Sequence, residues 1–582
     1  MFIFNSFNSY FFTILALNTC FIKFVFALLL FPFLVHSQET YPQDVFQSPL
    51  AIPLDLSGSF GELRSNHFHS GLDFKTSGVE GLPVYATGDG YVSRIKISPF
   101  GYGKAIYITH PNGYTSVYGH LQKANDAIQE LIKKKQYQEQ SFEVEMYLYP
   151  TELPVKKGDV IAFSGNTGGS GAPHLHFEFR DTKSEQIINP MHFGFKKIIK
   201  DERKPIIQGV VVYPLDSTTV NNAQKPINIS FNKQADGTYL STKVKANGRI
   251  AFGINAYDYC TNAYNKNGLY KVKAYLNGVL QYQYGFDTFA FDESRYINNF
   301  IDYERFHDMG QRVQKLFELS SYPLSIVAGN TKDGTLKILP NANYSYRVEL
   351  YDFHQNKIEL IIPIEYGLQP TTIKKTVQKT PYLVKAKTES IFEKGNVTVY
   401  VPENAFYANF YMNFDVNNDI ATLHDDSVPV HKNITLTFND VSGLSEEQLS
   451  KTYIATLDGY KLDYNKTTRK GNSFSTKIKT LGKYKLAQDS IPPRIYNVNF
   501  VEGKTLKEQK TISVSVADLH SDIASYSAFL NGKWILMEYD YKTKRLTHNL
   551  EDEVYVQGRN DFKITVTDSL QNSATFESYF FK

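Results

Sequence analysis

From Pro83 onward the chain alternates apolar and polar residues in short runs separated by turn residues, the period-two pattern of half-buried strands. Gly88-Asp89-Gly90 separates Pro83–Thr87 from Tyr91–Ile97. Pro111-Asn112-Gly113 separates Ala105–His110 from Tyr114–His120, a strong hairpin signal because Asn-Gly accepts the positive φ of tight turns. Residues 125–140 break this rhythm. Asn125 predicts the N-cap of a helix with Ile128, Leu131 and Ile132 at helical spacing, trailed by a polar run of Lys and Gln. Phe142, Val144, Met146 and Leu148 then alternate again. The piece at 122–153 therefore reads as a helical insertion between two strands of one sheet, either a lid over a groove or a surface elaboration.

Beyond residue 200 short β-type runs recur without Gly-rich phosphate loops or heptads. Turn-rich breaks at Asp201–Pro205, Gly367–Pro381 and Gln488–Pro493 predict domains at 38–200, 201–368, 369–489 and 490–582. A weak repeat links the second and the last. Tyr275-Leu276-Asn277-Gly278 resembles Phe529-Leu530-Asn531-Gly532, and Asp352/Asn356 matches Asp568/Asn572. Pro205-Ile206-Ile207 and Pro493-Arg494-Ile495 open the two pieces. The expected fold class is mainly β: an antiparallel catalytic domain with a helical insertion, then two immunoglobulin-like β-sandwiches with a β-rich module between them.

Composition supports this. Tyr (41) and Phe (42) are abundant against 6 Met and 1 Trp, and aromatic residues fit the pleated surface of strands. With 62 basic and 59 acidic residues there is no electrostatic case for nucleic acid. Lys23, the apolar run Phe24–Val35 and small residues around Ser37 predict a secretory signal peptide at 1–37, so the protein is expected to be exported to the periplasm or cell envelope. Retention of residues 10–35 as a membrane anchor is the other reading. Cys20 and Cys260 are the two cysteines, so no thiolate metal cluster is available to the mature chain. Cys260 reads as a small buried hydrophobe.

Seven of the 14 His lie between residues 67 and 192. His69 and Asp73 are four apart with Gly71 between them. In His174-Leu175-His176-Phe177-Glu178-Phe179, alternation sets His174, His176 and Glu178 on one face and Leu175, Phe177 and Phe179 in the core. Catalytic zinc takes three nitrogen or oxygen ligands and leaves a position for water. His69, Asp73 and one of the paired His residues supply that set, and the other His stands where a base is needed.

Together with Tyr118-Gly119-His120-Leu121, these motifs resemble peptidase family M23, the LytM and lysostaphin-like metallopeptidases. Further matches are Phe60-Gly61-Glu62, His69 to Phe74, Pro83 to Ala86, Val155 to Asp159, Ser164 to Gly168 and Pro173 to Glu178, so the resemblance spans roughly residues 55–190. It implies that His69, Asp73 and His176 bind Zn2+, and that His174 and His120 act on water and on the transition state. It also implies peptidoglycan peptides as substrate. The sequence departs from the family in the insertion after Leu121 and in a shortened Gly168–Ala172 turn, both beside the groove.

The expected function is a zinc metalloendopeptidase acting on peptide cross-links or stem peptides of the cell wall. The alternative is a non-catalytic or autoinhibited wall-binding scaffold, with the downstream β domains binding wall or a protein partner. His67 reads as a surface residue, His110 as structural, and Arg64 as exposed or meeting a substrate carboxylate. Glu178 reads as orienting a ligand. Lys133-Lys134-Lys135 reads as a solvated helix face. Asp415 to Asp419 mimics the start of a calcium loop but lacks the Gly expected next.

Overall fold

The computed structural model describes residues 41–582 except 262, 320, 321, 323, 328, 331, 375 and 553. The expected signal peptide lies outside the described residues. Contacts divide the chain into a unit ending at Gln43 and one running from Asp44 to Lys582.

In the N-terminal domain, twelve segments fold in chain order: β1 (Leu56–Gly58), β2 (Leu72–Lys75), β3 (Pro83–Tyr85), β4 (Gly90–Ile97), β5 (Lys104–Thr109), β6 (Tyr114–Gly119), β7 (Lys123–Ala124), α1 (Asp126–Glu139), β8 (Val144–Tyr147), β9 (Pro154–Val155), β10 (Val160–Phe163) and β11 (His174–Asp181). The main antiparallel sheet has the order β1-β2-β11-β6-β5-β4-β8, and a small second sheet has the order β3-β10-β7. The Asn-Gly turn joins β5 to β6 as a hairpin. Gly88-Asp89-Gly90 does something else. The strands flanking it, β3 and β4, belong to different sheets, so this turn carries the chain from one layer to the other.

β11 is the buried centre of the main sheet. Leu175, Phe177 and Phe179 are fully buried in one layer with Phe74, Phe193 and Phe195. The close-packed aromatic cluster makes the strand a rigid platform for the residues on its other face.

Asn125 caps α1 by accepting from the Ile128 amide at 3.0 Å, and Gln140 ends the helix in the left-handed region. Ile128, Ile132 and Gln136 face inward. The outer face is not simply solvated: Lys133 pairs with Asp552 of the last sandwich, and Tyr137 donates to the same carboxylate at 2.9 Å. Tyr137 also packs edge-on against Trp534. The insertion thus docks against the last sandwich.

Strands between Ile206 and Tyr366 form a five-stranded and a seven-stranded sheet, those between Ser390 and Gln488 two five-stranded sheets, and those between Arg494 and Phe581 two four-stranded sheets. The last two pairs each enclose their own hydrophobic core, around Val399, Leu436 and Phe474 in one and Val514, Ile564 and Val566 in the other. Asp415 to Asp419 is the turn of a hairpin, with Asp415 paired to Lys394, and not a calcium loop. No helix among the described residues is long and apolar enough to cross a membrane.

Candidate active site

Strand register assembles the site. In β11, His176 lies opposite Asp73 of β2 on one side and Gly119 of β6 on the other, so His120 follows at once where β6 ends. Gly71 lets the segment before β2 close on β11: a Cβ there would stand 2.3 Å from the Phe177 carbonyl oxygen. His120 takes a positive φ of 58°, which turns its ring towards His174.

Three ligand-type atoms converge. Asp73 Oδ1 is 3.0 Å from His69 Nε2 and 2.9 Å from His176 Nδ1, and the two nitrogens are 3.2 Å apart. The far nitrogen of each ring is already tied: His69 Nδ1 donates to the Ser59 carbonyl at 2.8 Å, and His176 Nε2 donates to Glu178 Oε1 at 2.8 Å. That leaves His69 Nε2 and His176 Nδ1 as the ring atoms that face Asp73 Oδ1, and a cation seated among them would meet three lone pairs. Two imidazoles and a carboxylate in that arrangement fit a zinc ion. Burial favours the neutral form of His176, but the carboxylates of Asp73 and Glu178 outweigh it and raise its pKa to about 9. Burial likewise opposes ionisation of Asp73, while His69, His174 and His176 hold it well below the usual carboxylate range.

The supporting residues are numerous and buried. The second oxygen of Asp73 accepts from Arg64 Nη2 at 2.9 Å, and Arg64 also pairs with Glu62. Arg64 is thus engaged with the ligand set while its side chain stays 35% exposed. Glu178, fully buried, accepts from His176, from Ser70 Oγ at 2.5 Å and from the Tyr102 hydroxyl on one oxygen, and from Arg180 Nε and Nη2 at 2.8 and 2.6 Å on the other. Burial alone would raise the Glu178 pKa, yet Arg180 and His176 lower it. Arg180 extends the two-residue alternation of His174, His176 and Glu178, a signal that reading two residues further would have caught. Ser70 and Tyr102 gave no such signal beyond their places beside Gly71 and between two glycines.

Two further imidazoles face the centre. His174 Nδ1 donates to the Ala172 carbonyl at 2.8 Å, leaving Nε2 as an acceptor 3.4 Å from Asp73 Oδ1. His120 Nδ1 donates to the Thr167 carbonyl at 2.8 Å, and the two rings are 4.8 Å apart. Burial, reinforced by His176 and His174, lowers the His120 pKa to about 3. It is therefore neutral at physiological pH, an acceptor at Nε2. The loop at 165–172 thus orients both rings through backbone carbonyls.

His67 is exposed, with Nδ1 beside the Ser65 carbonyl. His110 is buried between the Asp89 carbonyl and the Ser116 hydroxyl, as a structural residue should be.

The profile of Peptidase family M23 matches residues 67–140, and that of a Zu5-like domain matches residues 381–489. An uncharacterized metalloprotease of Haemophilus influenzae is 36% identical over 123 residues, 21% of this chain and 20% of that one. Peptidoglycan DD-endopeptidase ShyB of Vibrio cholerae is 37% identical over 110 residues, 19% and 20% of the two chains. The catalytic domain of lysostaphin from Staphylococcus simulans is 28% identical, with 24% of this chain and 90% of that one covered and a TM-score of 0.18. The chain spans about a fifth of the length of the curated relatives it matches. The domain that carries His69, Asp73, His120, His174 and His176 is a member of peptidase family M23, and β-sandwich domains follow it.

Proposed function

We propose that the protein is a zinc-dependent endopeptidase of the cell envelope that hydrolyses peptide cross-links or stem peptides of peptidoglycan. One observation carries the reading: His69 Nε2, Asp73 Oδ1 and His176 Nδ1 converge as acceptors, and the acceptor Nε2 of His174 faces them. The named activity of the peptidoglycan-cleaving relative supports the substrate class. His69, Asp73 and His176 would hold zinc, which supplies Lewis acidity and lowers the pKa of water towards about 7.

The chain's own residues then divide the remaining work. His174, its Nδ1 proton fixed on Ala172, takes a proton at Nε2 as water attacks. The proton that His174 takes passes to the leaving amine as the C–N bond breaks, and His120, neutral with its Nδ1 proton fixed on Thr167, accepts a hydrogen bond at Nε2 from the attacking water. Glu178 and Arg64 hold His176 and Asp73 in their orientations.

A second reading, that the intact chain restrains its own groove, is favoured by Lys542 of the last sandwich. Its ammonium donates to the carbonyls of Asn166 and Ser170, on the loop that orients both imidazoles.

Digestion of purified murein, with zinc content measured alongside, tests the proposal. The protein should release uncrosslinked stem peptides; His176→Ala should lose zinc and cleavage, and His174→Ala should keep zinc and lose about 10²–10⁴-fold in rate. Equal loss of zinc from His174→Ala would remove it from the role of base. Intact murein despite bound zinc would favour the restrained form.

A further inference from the structure

Where the peptidase domain hands over to the first sandwich, a second set of carboxylates is buried together. Asp201 lies in the connecting segment, Asp258 just beyond the strand Gly248–Tyr257, and Asp352 just beyond the strand Asn343–Tyr351. They are 7%, 3% and 4% exposed. Ligand-type atoms of Asp201, Asp352 and His354 lie within 4.8 Å of one another. All three Asp residues and Asn267 line a cavity of about 40 Å³, walled on its far side by Leu56 and Leu72 of β1 and β2.

Two oxygens in this cavity accept nothing. Asp258 Oδ1 and Asn267 Oδ1 have no hydrogen-bond partner although each residue is only 3% exposed. Asp258 and Asn267 exchange backbone hydrogen bonds at 3.0 and 2.8 Å, which brings their side chains to the same wall. Among the described residues no Lys or Arg forms an ion pair with the three carboxylates. The nearby Arg203 is turned to the Ala263 carbonyl and the Tyr259 ring, and His354 Nε2 donates to the Ile199 carbonyl at 2.8 Å. Burial and the charges of Asp201 and Asp352 push the Asp258 carboxyl up to about 8. Native interiors rarely leave two buried oxygens unpaired side by side unless a ligand meets them.

We propose that Asp201, Asp258, Asp352 and Asn267 form a calcium site that fastens the first sandwich to the peptidase domain. The donors are all oxygen, three of them carboxylates, which suits a hard cation. They come from separate segments with no octahedral frame, which suits calcium better than magnesium. The ion would sit behind the strand that carries Asp73, and so would fix the base of the catalytic sheet.

The last sandwich repeats the framework without the unmet oxygens. Asp489, Asp518 and Asp568 stand at the matching places. Asn572 Nδ2 spans Asp568 and the Asp489 carbonyl as Asn356 Nδ2 spans Asp352 and the Asp201 carbonyl, and Ser521 bonds Asp489 as Thr261 bonds Asp201. Asp489 and Asp568 each accept on both carboxylate oxygens, and Asp518 accepts two backbone amides. No carboxylate or amide oxygen of that cluster is among the unpartnered buried atoms of the described residues, so the proposal is confined to the first cluster.

The test uses the full chain, stripped of metal and reloaded with stoichiometric zinc. Calcium binding is measured by calorimetry, and the thermal midpoint with and without about 1 mM calcium chloride. A saturable binding heat and a Tm rise of at least about 2–4 °C are expected. Asp258→Asn should abolish both while leaving the calcium-free Tm no lower than that of the parent. Asn267→Ala should weaken binding roughly tenfold, and it decides the matter alone should Asp258→Asn fail to fold. No calcium-dependent shift in the parent would overturn the proposal. So would a shift that survives Asp258→Asn and Asn267→Ala, or one lost in Asp518→Asn instead.

Discussion

The first sandwich meets the peptidase domain through rings and backbone. Phe60 packs on Phe289, Phe68 packs on Phe286, Phe289 and Phe300, and Ile187–Ile188 pairs as strand with Thr288–Phe289. The contact is close enough that a Cβ on Gly61, at φ 73°, would fall 2.3 Å from the Phe286 ring. The last sandwich meets the same domain mostly through charge: Lys104 with Glu538 at 2.7 Å, Lys133 with Asp552, and Lys542 with two loop carbonyls, beside two aromatic contacts. Apolar burial and strand pairing do not weaken with salt, whereas partly exposed ion pairs do. The first interface therefore behaves as part of the domain's core, and the last as a separable clasp on the loop beside the active site.

The largest effect should come from the apolar side. Phe68 is 1% exposed, contacts three rings of the sandwich, and its amide donates to the Ser294 hydroxyl at 3.0 Å. Phe68→Ala should cost about 3–5 kcal/mol in denaturant unfolding. Because His69 follows it directly, zinc retention should fall as well. A loss below about 1 kcal/mol would mean that the Phe68 ring cluster does not carry this junction.

This contrast was only half visible in the sequence. Alternation in His174 to Phe179 gave the face of each residue correctly, because a central strand buried on both sides leaves no freedom of register. The pairing of His176 with Asp73 and Gly119 had to come from the fold, since it joins segments 103 and 57 residues apart. The helix at Asn125 was legible from its cap and spacing, but its partner was not. Lys133 reads as solvated until Asp552, more than four hundred positions away, is brought to it. The contact of Arg64 was hidden for the same reason: its partner, Asp73 Oδ2, lies across a turn that local patterning does not describe. The repeat between the two sandwiches pointed to Asp352 and Asp568. It could not show that Asp258 Oδ1 is left unpartnered, while both oxygens of Asp568 accept hydrogen bonds.

The charged clasp should yield to salt and to substitution together. Removing Lys133 and Lys542 as the double Ala variant takes away an ion pair to a nearly buried Asp552 carboxylate and both loop contacts. Docking of the last sandwich should weaken by about 1–3 kcal/mol. If that sandwich restrains the groove, murein cleavage should rise several-fold in the variant, and the parent should approach the same rate in high salt. A variant whose rate and salt dependence equal the parent's would show that the clasp touches the loop without governing it. Since Asn166 and Ser170 flank Thr167 and Ala172, whose carbonyls fix His120 and His174, the pH profile of kcat/KM is the finer readout.

A third junction, between the first sandwich and the Zu5-like module, combines both chemistries and should show the smallest effect. The His431 ring stacks on Tyr296 at 4.6 Å, its Nδ1 lies 3.0 Å from the Tyr407 hydroxyl, and Arg295 donates to the Val430 carbonyl. Burial, with help from Arg295, Lys432 and Lys479, lowers the His431 pKa to about 4. A histidine freed from the junction titrates near its ordinary value of about 6.5 and so binds the proton more readily than the docked one. The docked form is therefore favoured above about pH 6.5 and loses stability as pH falls towards 4. His431 is partly exposed, so solvent screening trims the effect to roughly 1 kcal/mol or less. Between about pH 7.5 and 5 the thermal midpoint of the parent should fall more than that of His431→Phe, which keeps the stack without the titration. Parallel pH curves for the two proteins would place the acid sensitivity elsewhere and leave this junction, like the first, governed by its rings.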